Sequence, residues 1–353
     1  MDSAIKTQFD RCEAEGLCRS DVAGLRMKWI PGQKHLIAQY HPTWQLVKRK
    51  ASFQKPTMTQ PFNPDGFNFT KVKESEVLAR VYVKDRKVVF VRDSSDPLPE
   101  GVDTLYTILL NVSPICNNHQ LLVPNLEKCY NQVWRYDLTE NWIVFCENSE
   151  RDDYVLFFNS LCGFSSVNHL HLQVMYSSSF YATATGSPTL PLPDDFTPSK
   201  LPLEYADCRV LFKREFVVCS EVKDWLSQAI KLSIEHDANE TAEMGDRKRR
   251  ELAHCFNELI RACYEQAFPY DVVFCQHGSD IYTFIRRYQQ PLEDLHVNPA
   301  CVELTGVVVY RSEESFDRAD QDILMEECKK VVYFEPSIWD DFVRSYVNRI
   351  VNN

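Results

Sequence analysis

Asn168-His169-Leu170-His171-Leu172-Gln173-Val174 is the stretch on which the reading of this chain turns. In a β-strand, residues two apart share a face and lie about 6–7 Å apart. The alternation predicts a strand over residues 167–176, with His169, His171 and Gln173 on one side and Leu170, Leu172 and Val174 on the other. Leucines on the hidden face would anchor the strand, so the imidazoles would be held by a rigid scaffold. Upstream, NSLCGFSS (159–166) supplies a small-residue turn after the apolar run YVLFFN. In that turn Gly163 permits close backbone approach and Ser165 and Ser166 offer hydroxyl donors, a suitable lining for phosphate oxygens together with Asn159. Taken alone, an HxH pair is more often two bonded core histidines or half a metal site. A metal would need further ligands, and the sequence offers no obvious third or fourth. The turn before the pair and the glutamine after it shift the balance to a site that handles phosphate.

The rest of the composition fits a folded protein of two halves. The chain has 353 residues, 44% of them apolar and 25% charged, enough to bury a sizeable core. Fifty acidic against 39 basic residues give a net charge of −11, which argues against a general nucleic-acid binder. The thirteen cysteines form no CxxC pair, and the polar start MDSAIKTQFDRCEAEG has no secretory apolar core. No apolar run reaches membrane-spanning length. Free thiols in a soluble, cytoplasmic protein is the expectation, with the sequons at Asn68, Asn111 and Asn239 as chance matches.

Along the chain, residues 1–62 read as an N-terminal arm, and Lys48, Arg49 and Lys50 as a solvated turn rather than a phosphate clamp. Residues 63–180 read as a catalytic half, with strands at 87–92, 104–112, 120–123 and 154–159 and a helix around 138–149. Five prolines mark 181–203 as a linker or surface crossing. Residues 204–353 form the second half. There a strand is predicted over 209–219, then a helix with Val222, Trp225, Leu226, Ala229 and Ile230 on one stripe, and another through Leu252, Phe256, Leu259, Ile260 and Cys263. The polar run 247–250 reads as that helix's wet face. Strands at 271–275, 281–286 and 302–310 follow. Two closing helices end the chain, the last starting near Ser337 with Asp340 at capping-box spacing.

Several segments carry a family likeness. Asn-x3-Gly-x-Ser-Ser-x-Asn-His-x-His-x-Gln, with Asn111-Val112-Ser113-Pro114 and His119-Gln120-Leu121-Leu122-Val123-Pro124 upstream, resembles the histidine-triad superfamily, in the branch with Gln at the third triad position that includes galactose-1-phosphate uridylyltransferase. With Phe67-Asn68-Phe69-Thr70-Lys71-Val72 and Val297-Asn298-Pro299-Ala300, the likeness is to the GDP-hexose phosphorylases and spans about residues 65–312. It implies an α+β fold, a histidine-triad-like antiparallel sheet with packed helices in two related halves. Two departures stand out. Asn118-His119 replaces the usual Gly-His, and the zinc cysteines of the uridylyltransferases have no counterpart, so no metal and no cofactor are expected.

The resemblance assigns the nucleophile to His171. A neutral imidazole has a free lone pair at pH 7 and can attack the α-phosphorus of a nucleoside diphosphate sugar. The partners implied are a GDP-hexose, D-glucose before L-galactose, and inorganic phosphate. Gln173 can hydrogen-bond but not supply a proton, which suits departure of a sugar phosphate that leaves as a stable anion. Asn159, Gly163, Ser165 and Ser166 would hold the α-phosphoryl oxygens. His169 would position the reaction or donate to phosphate, a purely structural role being nearly as good a reading. The rivals are a histidine-triad hydrolase or dinucleoside-polyphosphate phosphorylase, and a nucleotide-sensing scaffold without turnover. Phe67 and Phe69 could stack on a base, although packing is the more ordinary task.

Overall fold

Among the described residues, the backbone groups of fourteen short strands find their partners in two sheets of very different size. The computed structural model describes residues 1–20, 22–47, 57–92, 97–181, 190–235, 240–289 and 297–352. The strands in chain order are β1 (Arg26–Trp29), β2 (Ile37–Tyr40), β3 (Val77–Lys84), β4 (Lys87–Phe90), β5 (Leu105–Leu110), β6 (Gln120–Pro124) and β7 (Tyr154–Asn159). They continue with β8 (Leu172–Tyr176), β9 (Cys208–Arg214), β10 (Val217–Val222), β11 (Ala229–Ile234), β12 (Tyr270–Cys275), β13 (Asp280–Ile285) and β14 (Val307–Tyr310). The helices are α1 (Asp2–Ala14), α2 (Trp44–Val47), α3 (Thr139–Glu147), α4 (Ala242–Glu265), α5 (Cys301–Leu304), α6 (Glu313–Asp317), α7 (Gln321–Val331) and α8 (Pro336–Val351).

The large sheet has eleven strands in the order β4-β3-β5-β6-β8-β7-β12-β13-β11-β10-β9. Its paired strands are antiparallel throughout, which makes the protein α+β. The order traces one path twice. In the first half three antiparallel neighbours (β3, β5, β6) are followed by α3, then by β7 in the middle of the sheet and β8 filling the gap. In the second, β9, β10 and β11 are followed by α4, then by β12 and β13 in the same relation. The two inner strands, β7 and β12, pair with each other, Asp271 opposite Asn159 and Phe274 opposite Leu156. Both are buried on both faces, as mostly apolar runs in central strands require.

One face of this sheet carries the larger core, in which α1, α3, α4 and α8 bury Phe9, Trp142, Phe256 and Tyr346. The other is covered by β1, β2 and β14, with β14 parallel to β2, and by α7. A smaller apolar patch on that second side gathers Phe69, Leu109, Val123 and Val167, with Phe67, Val72, Val77 and Leu121 against it.

Several expectations need correction. His169 and His171 precede the strand, which starts at Leu172, so the two imidazoles do not share a strand face. The stripe Val222, Trp225, Leu226, Ala229, Ile230 is not a helix. It is the end of β10, a connection and the start of β11, and all five are buried because the turn tucks under the C-terminal layer, where the Trp225 indole donates to the Leu304 carbonyl at 2.7 Å. The strand expected over 209–219 is a hairpin, broken at Glu215, which has a positive φ of 43°. In 302–310 only the last four residues are strand, because α5 runs to Leu304 and the chain then turns at Gly306, where φ is 98°. α8 begins on Pro336, which pre-sets φ, and has no side-chain cap at its N-cap Glu335. The described part of the N-terminal arm packs into the fold: Ile5, Phe9 and Cys12 of α1 enter the larger core and β2 joins β14 from the other end of the chain. The basic cluster 48–50 and residues 182–189 of the Pro-rich segment lie outside the described residues; beyond them, Leu190, Phe196, Leu201 and Leu203 are buried.

Candidate functional site

His171 sits one residue before β8, and its ring is fixed by the backbone that precedes it. Nδ1 lies 2.8 Å from the His169 carbonyl and 3.1 Å from Gln132 Oε1. Both are acceptors, so Nδ1 carries the proton and the lone pair resides on Nε2. Burial pushes the His171 pKa down to about 4, opposed by the bond to the His169 carbonyl, so the ring is neutral at pH 7. The ring packs edge-on against Phe69, centroids 4.9 Å apart.

Gln132 was not visible to sequence reasoning, and it is the hub behind His171. It is 1% exposed. Its Oε1 accepts from the His171 backbone N–H at 2.9 Å, and its Nε2 donates to the carbonyls of Asn159 at 3.0 Å and His171 at 3.1 Å. Asn168 holds the loop carrying it: Oδ1 accepts from the Gln132 backbone N–H at 2.9 Å, and Nδ2 donates to the carbonyls of Gln60 and Pro61. One amide thus ties the residue before β8 to the end of β7.

A second relay fixes Gln173. Its Oε1 lies 3.0 Å from His119 Nε2, and its Nε2 donates to Asn159 Oδ1 at 3.0 Å. The Ile115 backbone N–H donates to His119 Nδ1, which puts the His119 proton on Nε2, toward Gln173. Burial drives His119 down to about 3, so it donates as a neutral ring. Asn159 Nδ2 passes the chain on, to the Gly163 carbonyl at 2.8 Å and Asp271 Oδ1 at 3.3 Å. The Gln173 amide therefore has a fixed orientation with one N–H to spare. His119 lies in a segment the sequence reading quoted without giving it a role. Asn118, before it, has φ of 60° and accepts from Gln120 Nε2 at 2.8 Å; asparagine tolerates the left-handed region where the superfamily uses glycine.

His171, Gln173, Asn159, Ser165 and Ser166 all line one cavity, together with His119, Asn111 and Ser113. Ser165 spends its hydroxyl on the Val167 carbonyl at 3.1 Å. The Ser166 hydroxyl, by contrast, has no protein partner among the described residues, nor do the backbone N–H groups of Ser166 and Val167. These are donors open to an anion on the wall that carries the His171 ring.

Two expected residues lie elsewhere. The His169 ring does not line the cavity: it is fully buried between Phe62 and Phe69, and its Nδ1 accepts from the Phe69 backbone N–H at 3.1 Å. What it offers His171 is its carbonyl. Gly163 lies behind the wall, where a Cβ would come within 2.1 Å of Asp271 Oδ1. Asp271 belongs to β12 and pairs with Arg286, just beyond β13, at 3.2 Å with both side chains buried. The Arg286 guanidinium also lies over the Phe164 ring, 5.0 Å from its centroid. Burial raises the Asp271 carboxyl, and Arg286 opposes the shift. The second half thus supports the turn that follows β7, and it adds Ala300, Val302 and Glu303 to the cavity wall.

At the place in the second half equivalent to His171 and Gln173, the register puts Asp280 and Tyr282. There Glu204, Cys275 and Asp280 bring three possible metal-ligating atoms within 4.8 Å of one another. Lys231 pairs with Asp280 at 2.8 Å, and Glu204 accepts from the Leu201 backbone and from Gln276, so these carboxylates are satisfied within the protein.

Comparison with known proteins bears on the family and the fold. The GDPGP1-like N-terminal domain matches residues 1–175, and the GDPGP1-like C-terminal domain residues 206–336. GDP-L-galactose phosphorylase 2 of Arabidopsis thaliana is 25% identical over 338 residues, covering 91% of this chain and 70% of its own length. GDP-D-glucose phosphorylase 1 of Danio rerio is 30% identical over 180 residues, 50% of this chain and 46% of the relative. Among solved structures, yeast Ap4A phosphorylase Apa2 in complex with Ap4A superposes with a TM-score of 0.57 at 17% identity, covering 95% of this chain and 98% of the other, a likeness of fold. Matched by both domain models over most of its length, this chain belongs to the GDPGP1-like family.

Proposed function

We propose that this protein is a GDP-hexose phosphorylase acting through a covalent guanylyl-histidine, with GDP-D-glucose as substrate and residues 63–180 as its catalytic half. The observation that carries the reading is the His171 ring, whose Nδ1–H is held by the His169 carbonyl so that Nε2 is left as a lone pair at the cavity. In the first step Nε2 attacks the α-phosphorus, the N–P bond forms, and the bond from phosphorus to the bridging oxygen breaks. Hexose 1-phosphate departs with that electron pair. Nδ1 keeps its proton, so the guanylylated ring is cationic, and the His169 carbonyl and Gln132 Oε1 face that charge. In the second step a phosphate oxygen attacks the same phosphorus, the P–N bond breaks, and GDP leaves with the ring neutral again.

Among the described residues the donors on the cavity wall are neutral, and they would stabilise the α-phosphoryl oxygens: the Ser166 hydroxyl, the spare Gln173 N–H and the backbone N–H groups of Ser166 and Val167. Asn159 and Ser165 hold this wall in place, and Gly163 allows it to approach Asp271. Gln173 has no proton to give, which favours a leaving group that needs none. Among the described residues, no helix is long and apolar enough to cross a membrane.

Intact mass spectrometry after incubation with GDP-glucose without phosphate tests the proposal. A GMP adduct should appear on His171, vanish when phosphate is added, and be absent in His171→Ala. Unmodified wild-type protein under rapid quench, or GMP in place of GDP as the product with phosphate present, would overturn it.

A further inference from the structure

If guanylyl transfer takes place at His171, the base must lie along the same wall, and the sheet register shows where. Gln173 on β8 lies opposite Leu121 on β6, Leu121 opposite Leu109 on β5, and Leu109 opposite Val77 at the start of β3. Residues directly opposite in a sheet point to the same side, and neighbouring strands lie about 4.8 Å apart. The row therefore runs about 14 Å from the phosphate donor to the edge of β3. Its middle is apolar: Leu109 and Leu121 line the cavity with Phe67 and Val72, a surface suited to the faces of a purine.

At the far end of this row stands a carboxylate. Glu76, directly before Val77, lines the same cavity, is half-buried, and makes no side-chain hydrogen bond or ion pair among the described residues. Elsewhere in the protein, partly buried carboxylates are engaged: Glu147 by Arg249, Glu221 by Arg209 and Trp339. Glu303, the other carboxylate on the cavity wall, has an interaction of its own.

We infer that Glu76 is the guanine-reading residue: its carboxylate accepts the N1–H and the exocyclic N2–H of the base. Guanine presents these two donors side by side, and an ionised carboxylate presents two acceptors at matching spacing. Adenine has an acceptor at N1 and hypoxanthine lacks the amino group, so each loses at least one charge-assisted bond. The inference rests on the proposed GDP-hexose chemistry and adds base selection to it.

The experiment compares kcat/KM of the wild type, E76Q, E76A and E76D for GDP-glucose, IDP-glucose and ADP-glucose. The wild type should prefer GDP-glucose to IDP-glucose by about ten- to a hundredfold, the range expected for a bond to a charged group. E76Q and E76A should lose most of that preference, read mainly in KM, and E76D should keep part of it. Equal wild-type kcat/KM for GDP-glucose and IDP-glucose overturns the inference whatever the variants do, as does an unaltered GDP-to-IDP ratio in E76A. A wild type that turns over none of the three sugars refutes the proposed reaction instead, so the two failures are distinguishable.

Discussion

Replacing Gln132 tests whether the proposed nucleophile, His171, depends on a residue that does not line the cavity. Gln132→Ala deletes four contacts of 2.9–3.1 Å and leaves the Asn159 carbonyl and the backbone groups of His171 without their partner. Each buried polar group left unpaired costs about 1–3 kcal/mol, and water entering the space offsets part of this. A loss of about 2–4 kcal/mol is expected, read as a lower chemical-denaturation midpoint in a chain that still folds. The ring keeps its bond to the His169 carbonyl at 2.8 Å and hence its tautomer. Its aim, however, is no longer fixed from the side. A misplacement of about 1 Å can cost about a hundredfold, so kcat should fall by about ten- to a hundredfold. KM should change little, because Gln132 is not among the residues lining the cavity. Gln132→Glu adds a readout that a merely structural residue would not move. A carboxylate beside Nδ1–H favours the imidazolium, so the acid limb of kcat/KM should shift to higher pH. Stopped-flow measurement of the single-turnover burst of glucose 1-phosphate isolates the first step. A folded Gln132→Ala with wild-type burst rate, or a pure KM effect, would refute the reasoning.

Other outcomes follow from the same geometry. Because burial holds His171 down to about 4, kcat/KM should stay on its plateau well below pH 6.5 and decline only toward pH 4; an acid limb at the ordinary histidine value in short assays would contradict the buried, neutral ring. His119, His169 and His171 all have lowered pKa values, so the unfolded chain binds protons that the native one does not. Stability should therefore be complete above about pH 6.5 and be lost as pH falls through that value toward 4, measured by urea midpoints across this range. Gly163→Ala should lower both stability and kcat, since its Cβ would sit 2.1 Å from Asp271 Oδ1; an unchanged melting temperature would show that the turn can yield. Arg286→Leu leaves the Asp271 carboxylate buried without its cation and should cost about 3–5 kcal/mol by denaturant titration, whereas the paired change Arg286→Leu with Asp271→Asn should recover part of it.

What was legible in the sequence was local. YVLFFN announced β7 with its bounds, because five apolar residues in a row closed by a polar one is how a doubly covered central strand reads. The HxHxQ pattern picked out His171 and Gln173, which line the cavity, and His169, whose ring does not, and the strand geometry drawn from it was wrong. Alternation suggested three side chains on one strand face, but the ladder begins only at Leu172, and the irregular backbone before it is what lets the His169 carbonyl reach the His171 ring. Gln132 carried no signal, since a buried amide in a loop looks like any asparagine-glutamine pair in a turn. Asp271 and Arg286 were equally silent: one lies within a strand and the other just after the next, and only the antiparallel register brings them together. The stripe 222–230 misled because turns that pack under another layer can repeat apolar residues at helical spacing.

The junction of β7 with β12 has a consequence for stoichiometry. A symmetric pair of subunits would carry two equivalent reaction centres and could alternate between them. Here the two halves are joined through one continuous sheet, and at corresponding positions the first presents His171 and Gln173 and the second Asp280 and Tyr282. Freed from turnover, the second copy can act as masonry, its Asp271 bracing the anion-facing bend from behind. Guanylylation should therefore plateau at a single equivalent per polypeptide, with no slow second phase and no communication between sites to be regulated.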